Sequence, residues 1–173
     1  MLDRWTQGRL PAKPHTVFRD ASTGSLLYEE CFTRQGFDGG YSILYHRRPT
    51  TQEVSSSAAE RGFTAPRAVE PGGAPLLRRL FDSGKIPPGG GMVDARVPLL
   101  FNADVTIFAA RPDRSDDVFV VNGDGDDLFF VERGAGTVES PFGRLPFSAH
   151  DYVVVPKGCP YRILLEGTEN RFF

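Results

Sequence analysis

The chain has 173 residues, 40% of them hydrophobic, and a formal charge of −2. That is enough length for one domain and enough apolar side chain for a buried core, which excludes a chain disordered throughout. The charge leaves no basic footprint for nucleic acid, and no apolar run reaches the length of a membrane span.

Met1-Leu-Asp-Arg-Trp-Thr6 lacks the apolar stretch of a secretory leader, and two cysteines, Cys31 and Cys159, are too few for a disulfide framework. A reducing, cytoplasmic setting is the expectation. Residues 1–14, with Gly8, Pro11 and Pro14, read as an extended arm, and His15–Phe18 as the start of a strand. Asp20–Gly24 is a turn signal, followed by a strand candidate at Leu26–Phe32. A second turn at Phe37–Gly40 leads to a loosely alternating strand at Tyr41–His46. Residues 1–46 are read as an N-terminal β extension that adds strands to one sheet of the main domain.

Residues 47–92 change character. Ser55–Ala59, Pro66, Glu70–Gly73 and Ile86–Gly91 are linker-like, and Leu76–Phe81 is at most a two-turn amphipathic helix. So long an insertion is uncommon in a compact domain, and it reads as an excursion that contacts a partner or lacks fixed structure. In residues 93–173 strands are expected at Arg96–Phe101, Val105–Ala109, Val118–Val121, Leu128–Val131, Gly136–Val138, Leu145–Phe147, Tyr152–Val155 and Tyr161–Leu165. Short Phe- and Val-rich strands at close spacing, with glycine turns, indicate an all-β barrel or sandwich. The three segments are read as parts of one structural domain.

Val120–Val138, then Phe142–Phe147 and Asp151–Ile163, follow the layout of the two motifs of a cupin. A cupin is a double-stranded β-helix, a small jelly-roll barrel. Its motifs supply two His, a Glu and a third His to a metal inside the barrel. Here Asp127 stands where the Glu belongs, and Gly134 closes the hairpin. The H-x-H segment falls near Val120–Asp124, which offers Asn122 and Asp124 but no His. In the second motif Asp151 precedes the strand, Pro156-Lys-Gly158 is the turn, and Tyr161 stands at the His position. Iron, manganese and zinc need imidazole with carboxylate, and one Asp beside a phenol is not such a set. No metal site is assigned to the barrel.

Most of the chain resembles homogentisate 1,2-dioxygenase. The resemblance rests on Pro11–Arg19, Leu27–Glu30, Gly36–Gly39, Tyr41–His46, Val93–Asn102, Asn122–Asp127 and the run from Gly143 to Arg162. It implies the N-terminal cupin half of a two-cupin, Fe(II)-dependent enzyme of tyrosine and phenylalanine breakdown. That enzyme opens the ring of homogentisate with dioxygen to give maleylacetoacetate. Its iron sits in the C-terminal half, on two His and one Glu, and no matching segment exists here. No catalytic, cofactor-binding or metal-binding residue is therefore assigned, and no cofactor is expected on this chain. Asn170-Arg-Phe-Phe173 reads as a strand interrupted at its start, so a fragment of a longer protein is one expectation and a natural short protein the other.

Other candidates are weaker. His15, His46 and His150 have no metal-ligand spacing, and Asp124, Asp126 and Asp127 lie between strands rather than the helices of a calcium loop. Arg47-Arg48 and Arg78-Arg79 read as solvated basic pairs, and Cys159 as an inert thiol. Two functional readings differ from the enzyme-half reading in class. One is a stand-alone, metal-free cupin that binds a small molecule through Tyr161, Arg162 and Asp127. The other is an assembly module, expected to self-associate or to pair with a second cupin half.

Overall fold

A computed structural model describes residues 17–53, 55–57, 78 and 80–173. The extended arm, His15, half of the Leu76–Phe81 helix candidate, Pro66, Glu70–Gly73 and the end of Ser55–Ala59 lie outside the described residues. The chain divides into two compact units, residues 1–56 and 57–173.

The first unit is a hairpin. Strand β1 (Tyr28–Thr33) pairs antiparallel with β2 (Tyr41–His46), in a register that sets Tyr28 opposite His46 and Thr33 opposite Tyr41. The two form a sheet of their own, where the sequence led us to expect strands added to a barrel sheet. Cross-strand side chains hold the hairpin: Tyr45 donates to Glu29 at 3.0 Å, and His46 Nε2 lies 2.7 Å from Glu30. Below it, the Asp20–Gly24 turn is closed by the Asp20 carboxylate. That group accepts the Ser22 and Thr23 amides at 2.8 and 3.1 Å and pairs with Arg47 Nε at 2.6 Å.

The second unit is all-β and cupin-like. Eight strands follow a short 3-10 turn at Ser83–Lys85: β3 (Arg96–Phe101), β4 (Thr106–Ala110), β5 (Asp127–Arg133), β6 (Gly136–Ser140), β7 (Gly143–Phe147), β8 (Tyr152–Val155), β9 (Arg162–Leu165) and β10 (Arg171–Phe172). They form a five-stranded sheet, β3-β4-β10-β5-β8, and a three-stranded sheet, β7-β6-β9, all antiparallel. Side chains alternate between the two faces along each strand, and burial follows that alternation. Phe129 and Val131 of β5, Val153 and Val155 of β8, and Val138 of β6 are buried, while Leu128, Tyr152 and Val154 are exposed. The sheets meet face to face where Phe172 of β10 packs edge-on against Phe147 of β7 with ring centres 5.8 Å apart.

Two places depart from the expected strands. Val118–Val121 forms only one bridge, between Val120 and Tyr161, whose amides and carbonyls exchange bonds of 2.8 and 2.9 Å. On one side the ladder ends because the Cys159 amide, which would pair with Asn122, instead closes a turn onto Pro156 O at 3.1 Å. On the other side the Ile163 amide donates to the Asp116 carboxylate at 2.8 Å instead of to a facing strand. The second departure is Gly89–Met92, which packs into the barrel unit. Gly89 N donates to Arg111 O at 3.0 Å, Asp113 N to Gly90 O at 3.2 Å, and Met92 is 1% exposed.

Candidate functional site

The interior of the barrel carries a polar chain at one end. Asp127 opens β5, paired with Val155, and its side chain lies on the inner face with Phe129 and Val131. Tyr161 stands two residues before Ile163 and shares its inward orientation; both are 1% exposed. The Tyr161 hydroxyl donates to Asp127 Oδ2 at 2.5 Å, and Asn122 Nδ2 donates to Asp127 Oδ1 at 2.9 Å. Three of the four residues read from the motif positions therefore meet. Asp124 does not join them: it is exposed, and its amide donates to Asn122 Oδ1 at 3.0 Å within the turn.

A fourth member, Arg96, was missed in the sequence. Its Nη2 donates to the Tyr161 oxygen at 2.7 Å and lies 3.5 Å from Asp127 Oδ2. Its guanidinium sits 5.5 and 6.0 Å from the ring centres of Phe129 and Phe108. The Phe129 ring packs edge-on against Tyr161 at 5.9 Å. Burial pushes the Tyr161 phenol above the ordinary tyrosine range; Arg96 opposes that shift and Asp127 adds to it. The hydroxyl thus stays protonated and serves as donor to Asp127 and acceptor from Arg96. The available signal was Arg96 at the head of an apolar strand, but the bulge between Pro98 and Leu100 breaks the alternation that would have assigned it a face.

Arg162 points elsewhere. One residue along from Tyr161, it takes the opposite face, stacks 4.9 Å over Phe119 and bonds to Glu139 at 2.6 Å. It does not share a pocket with Tyr161 and Asp127. The two motifs are clasped together at their turns instead: Lys157 N donates to Asp126 Oδ1 at 2.8 Å, and Gly158 N to Asn122 O at 2.9 Å. Asp151 closes its own turn by accepting from Ser148 N at 2.8 Å. Cys159 is buried, its thiol 3.6 Å from the Pro160 carbonyl. His150 has φ 76 and lies near the Phe130 ring, and His46 is engaged in the hairpin. Among the described residues, no group of three or more His, Cys, Asp or Glu is placed to hold a metal ion.

The class of protein is thus an all-β, cupin-like barrel with a guanidinium, a phenol, a carboxylate and an amide bonded in series inside it. Residues 95–173 match the family described as homogentisate 1,2-dioxygenase N-terminal. A protein of Saccharolobus solfataricus named "Putative dioxygenase" is 31% identical over 167 residues, which is 96% of this chain and 42% of that protein. The chain spans less than half the length of that relative. Both likenesses are to proteins described as dioxygenases, and the stretches Asn122–Asp127 and Gly143–Arg162 that carried the resemblance lie inside the region matched by the family.

Proposed function

We propose that this chain is the metal-free N-terminal barrel of a homogentisate 1,2-dioxygenase-like enzyme, and that it supports and assembles with the part that carries out ring cleavage. The observation that carries the reading is the occupancy of the cupin ligand positions. Asp127 and Tyr161 are bonded to each other and to Arg96. Iron in such a barrel needs imidazole and carboxylate donors. This cluster offers one carboxylate, one protonated phenol and one amide, and the carboxylate already faces a guanidinium at 3.5 Å. That donor set does not suit Fe(II), so no chemical step is assigned to it. The family match over residues 95–173 supports the enzyme class, and the greater length of the relative supports a missing catalytic part. A cytoplasmic setting belongs to the same proposal.

Oxygen uptake tests it. The purified 173-residue chain, given homogentisate and Fe(II), should consume no oxygen above the rate of Fe(II) with homogentisate alone. A chain extended to the length of the relative should consume it. Ring cleavage needs a metal with open coordination positions for both dioxygen and substrate. Turnover by the short chain near the rate of the long one would place the chemistry in this barrel and refute the proposal.

A further inference from the structure

Three ladder steps separate β3 from β5 in the order β3-β4-β10-β5. Adjacent strands lie about 4.8 Å apart, so the two backbones are about 14 Å apart along the sheet. Arg96, at the start of β3, nevertheless brings Nη2 to the Tyr161 hydroxyl and the Asp127 carboxylate. This requires a sheet curled until its inner face is concave, and a side chain long enough to cross the hollow. The Arg96 and Asp127 side chains are only 12% and 15% exposed, so both charges are largely withdrawn from water. A carboxylate in that position is costly unless it is paired and hydrogen-bonded.

We infer that Arg96 is the resident cation of the barrel, supplying from β3 the positive charge that a metal ion would bring to the same position. The inference rests on the metal-free reading and names what takes the metal's place. Tyr161 relays between the two charges, accepting from Arg96 and donating to Asp127, while Asn122 donates to the second carboxylate oxygen. Both Asp127 oxygens therefore have a donor. The chain of bonds ties β3, which is an edge strand, to β5, to the residue leading into β9 and to the 122–127 turn. Arg96 is a positioning residue: it fixes Asp127 and Tyr161 and has no assigned contact with a substrate. A divalent cation approaching Asp127 would meet a fixed like charge.

The test is thermal unfolding of the wild type and three variants, with Mn2+ as the metal probe and Asp127→Asn alone as its control. Arg96→Met keeps the apolar stem and removes the charge; its Tm should fall by about 10 °C, because it leaves a largely buried carboxylate unpaired. Adding Asp127→Asn to Arg96→Met should recover at least half of that loss. Arg96→Lys should lose no more than a third of it. The wild-type chain should leave the Mn2+ EPR signal unchanged. If Arg96→Met fails to fold while the double variant folds, the inference stands. If Arg96→Met unfolds at the wild-type temperature, or the double variant is no better than the single one, Arg96 is not the counter-ion, and the metal-free reading survives. If the wild type takes up one Mn2+ that Asp127→Asn abolishes, the metal-free reading fails and this inference with it.

Discussion

Asp116 does the work of a missing strand. Its carboxylate accepts the Met92 amide at 2.7 Å and the Ile163 amide at 2.8 Å, joining the segment before β3 to β9. Burial pushes its pKa up from the ordinary 3.8, against the pull of the two amides and Arg96. A carboxyl raised in the folded state binds its proton more tightly there than in the unfolded chain. Its contribution to stability is therefore greatest below 3.8 and declines as pH rises through the folded value. Asp116→Asn removes that slope and turns an NH2 toward one of the two N–H donors, costing about 1–3 kcal/mol. Urea unfolding should show the gap between wild type and variant narrowing as pH rises from 4. A constant gap would mean that Asp116 does not titrate in that range. Tyr161→Phe should cost about 1–2 kcal/mol, the worth of a buried hydroxyl that bonds charged partners on both sides. A neutral result in the same assay would mean that Arg96 and Asp127 reach each other without the relay.

At the scale of elements, close approach and turn chemistry decide. Gly136 of β6 pairs with Leu165 and Phe147 on its two sides, and a Cβ there would fall on the Leu164 carbonyl oxygen and crowd the Phe147 ring. Because a backbone atom is in the way, Gly136→Ala should push β6 from β9 and cost about 1–3 kcal/mol. Gly123→Ala, where nothing lies within 4 Å, should stay within about 0.5 kcal/mol in the same denaturation series. In the hairpin unit, the Ser22 hydroxyl, then the Ser22 and Thr23 amides, hold the Asp20 carboxyl down at about 2. The stabilisation of the turn by this group is present above 3.8 and is lost as pH falls toward 2. In NMR titration the Ser22 and Thr23 amide shifts should therefore move with a midpoint near 2, and Asp20→Asn should abolish the movement. A midpoint at 3.8 would mean that the turn does not hold the carboxylate.

At the scale of the whole molecule, the outer side of β5 and β8 bears on assembly. Leu128, Tyr152 and Val154 are 59%, 69% and 58% exposed, and β8 is an edge strand. Apolar side chains gathered on one sheet face commonly mark a surface that another protein covers. We expect the chain to self-associate through it, and Val154→Lys to shift the population toward monomer without lowering the Tm of the barrel. Light scattering over a dilution series measures this. A wild-type chain that is monomeric at every concentration would contradict the expectation.

The chain order of residue types determined a good deal on its own. Apolar runs such as Leu128–Val131 and Tyr152–Val155 were legible as strands, but being apolar at every position they left the inner faces open until β5 and β8 were packed, with Phe129, Val131, Val153 and Val155 inside. The motif spacing put Asp127, Asn122 and Tyr161 at one site, since turn glycines and the Pro156–Gly158 turn fix the register between them. Arg96 could not be found that way. It lies 31 positions before Asp127 and 65 before Tyr161, and a bulge hides its face. The curl of the sheet brings it to Asp127, and curl comes from many strand contacts at once. The single bridge at Val120 was equally out of reach, because it depends on the Asp116 side chain taking the amide of Ile163. Apolar runs and turn chemistry are local and can be read along a sequence, whereas the partner of a long charged side chain is decided only when the sheets have closed around it.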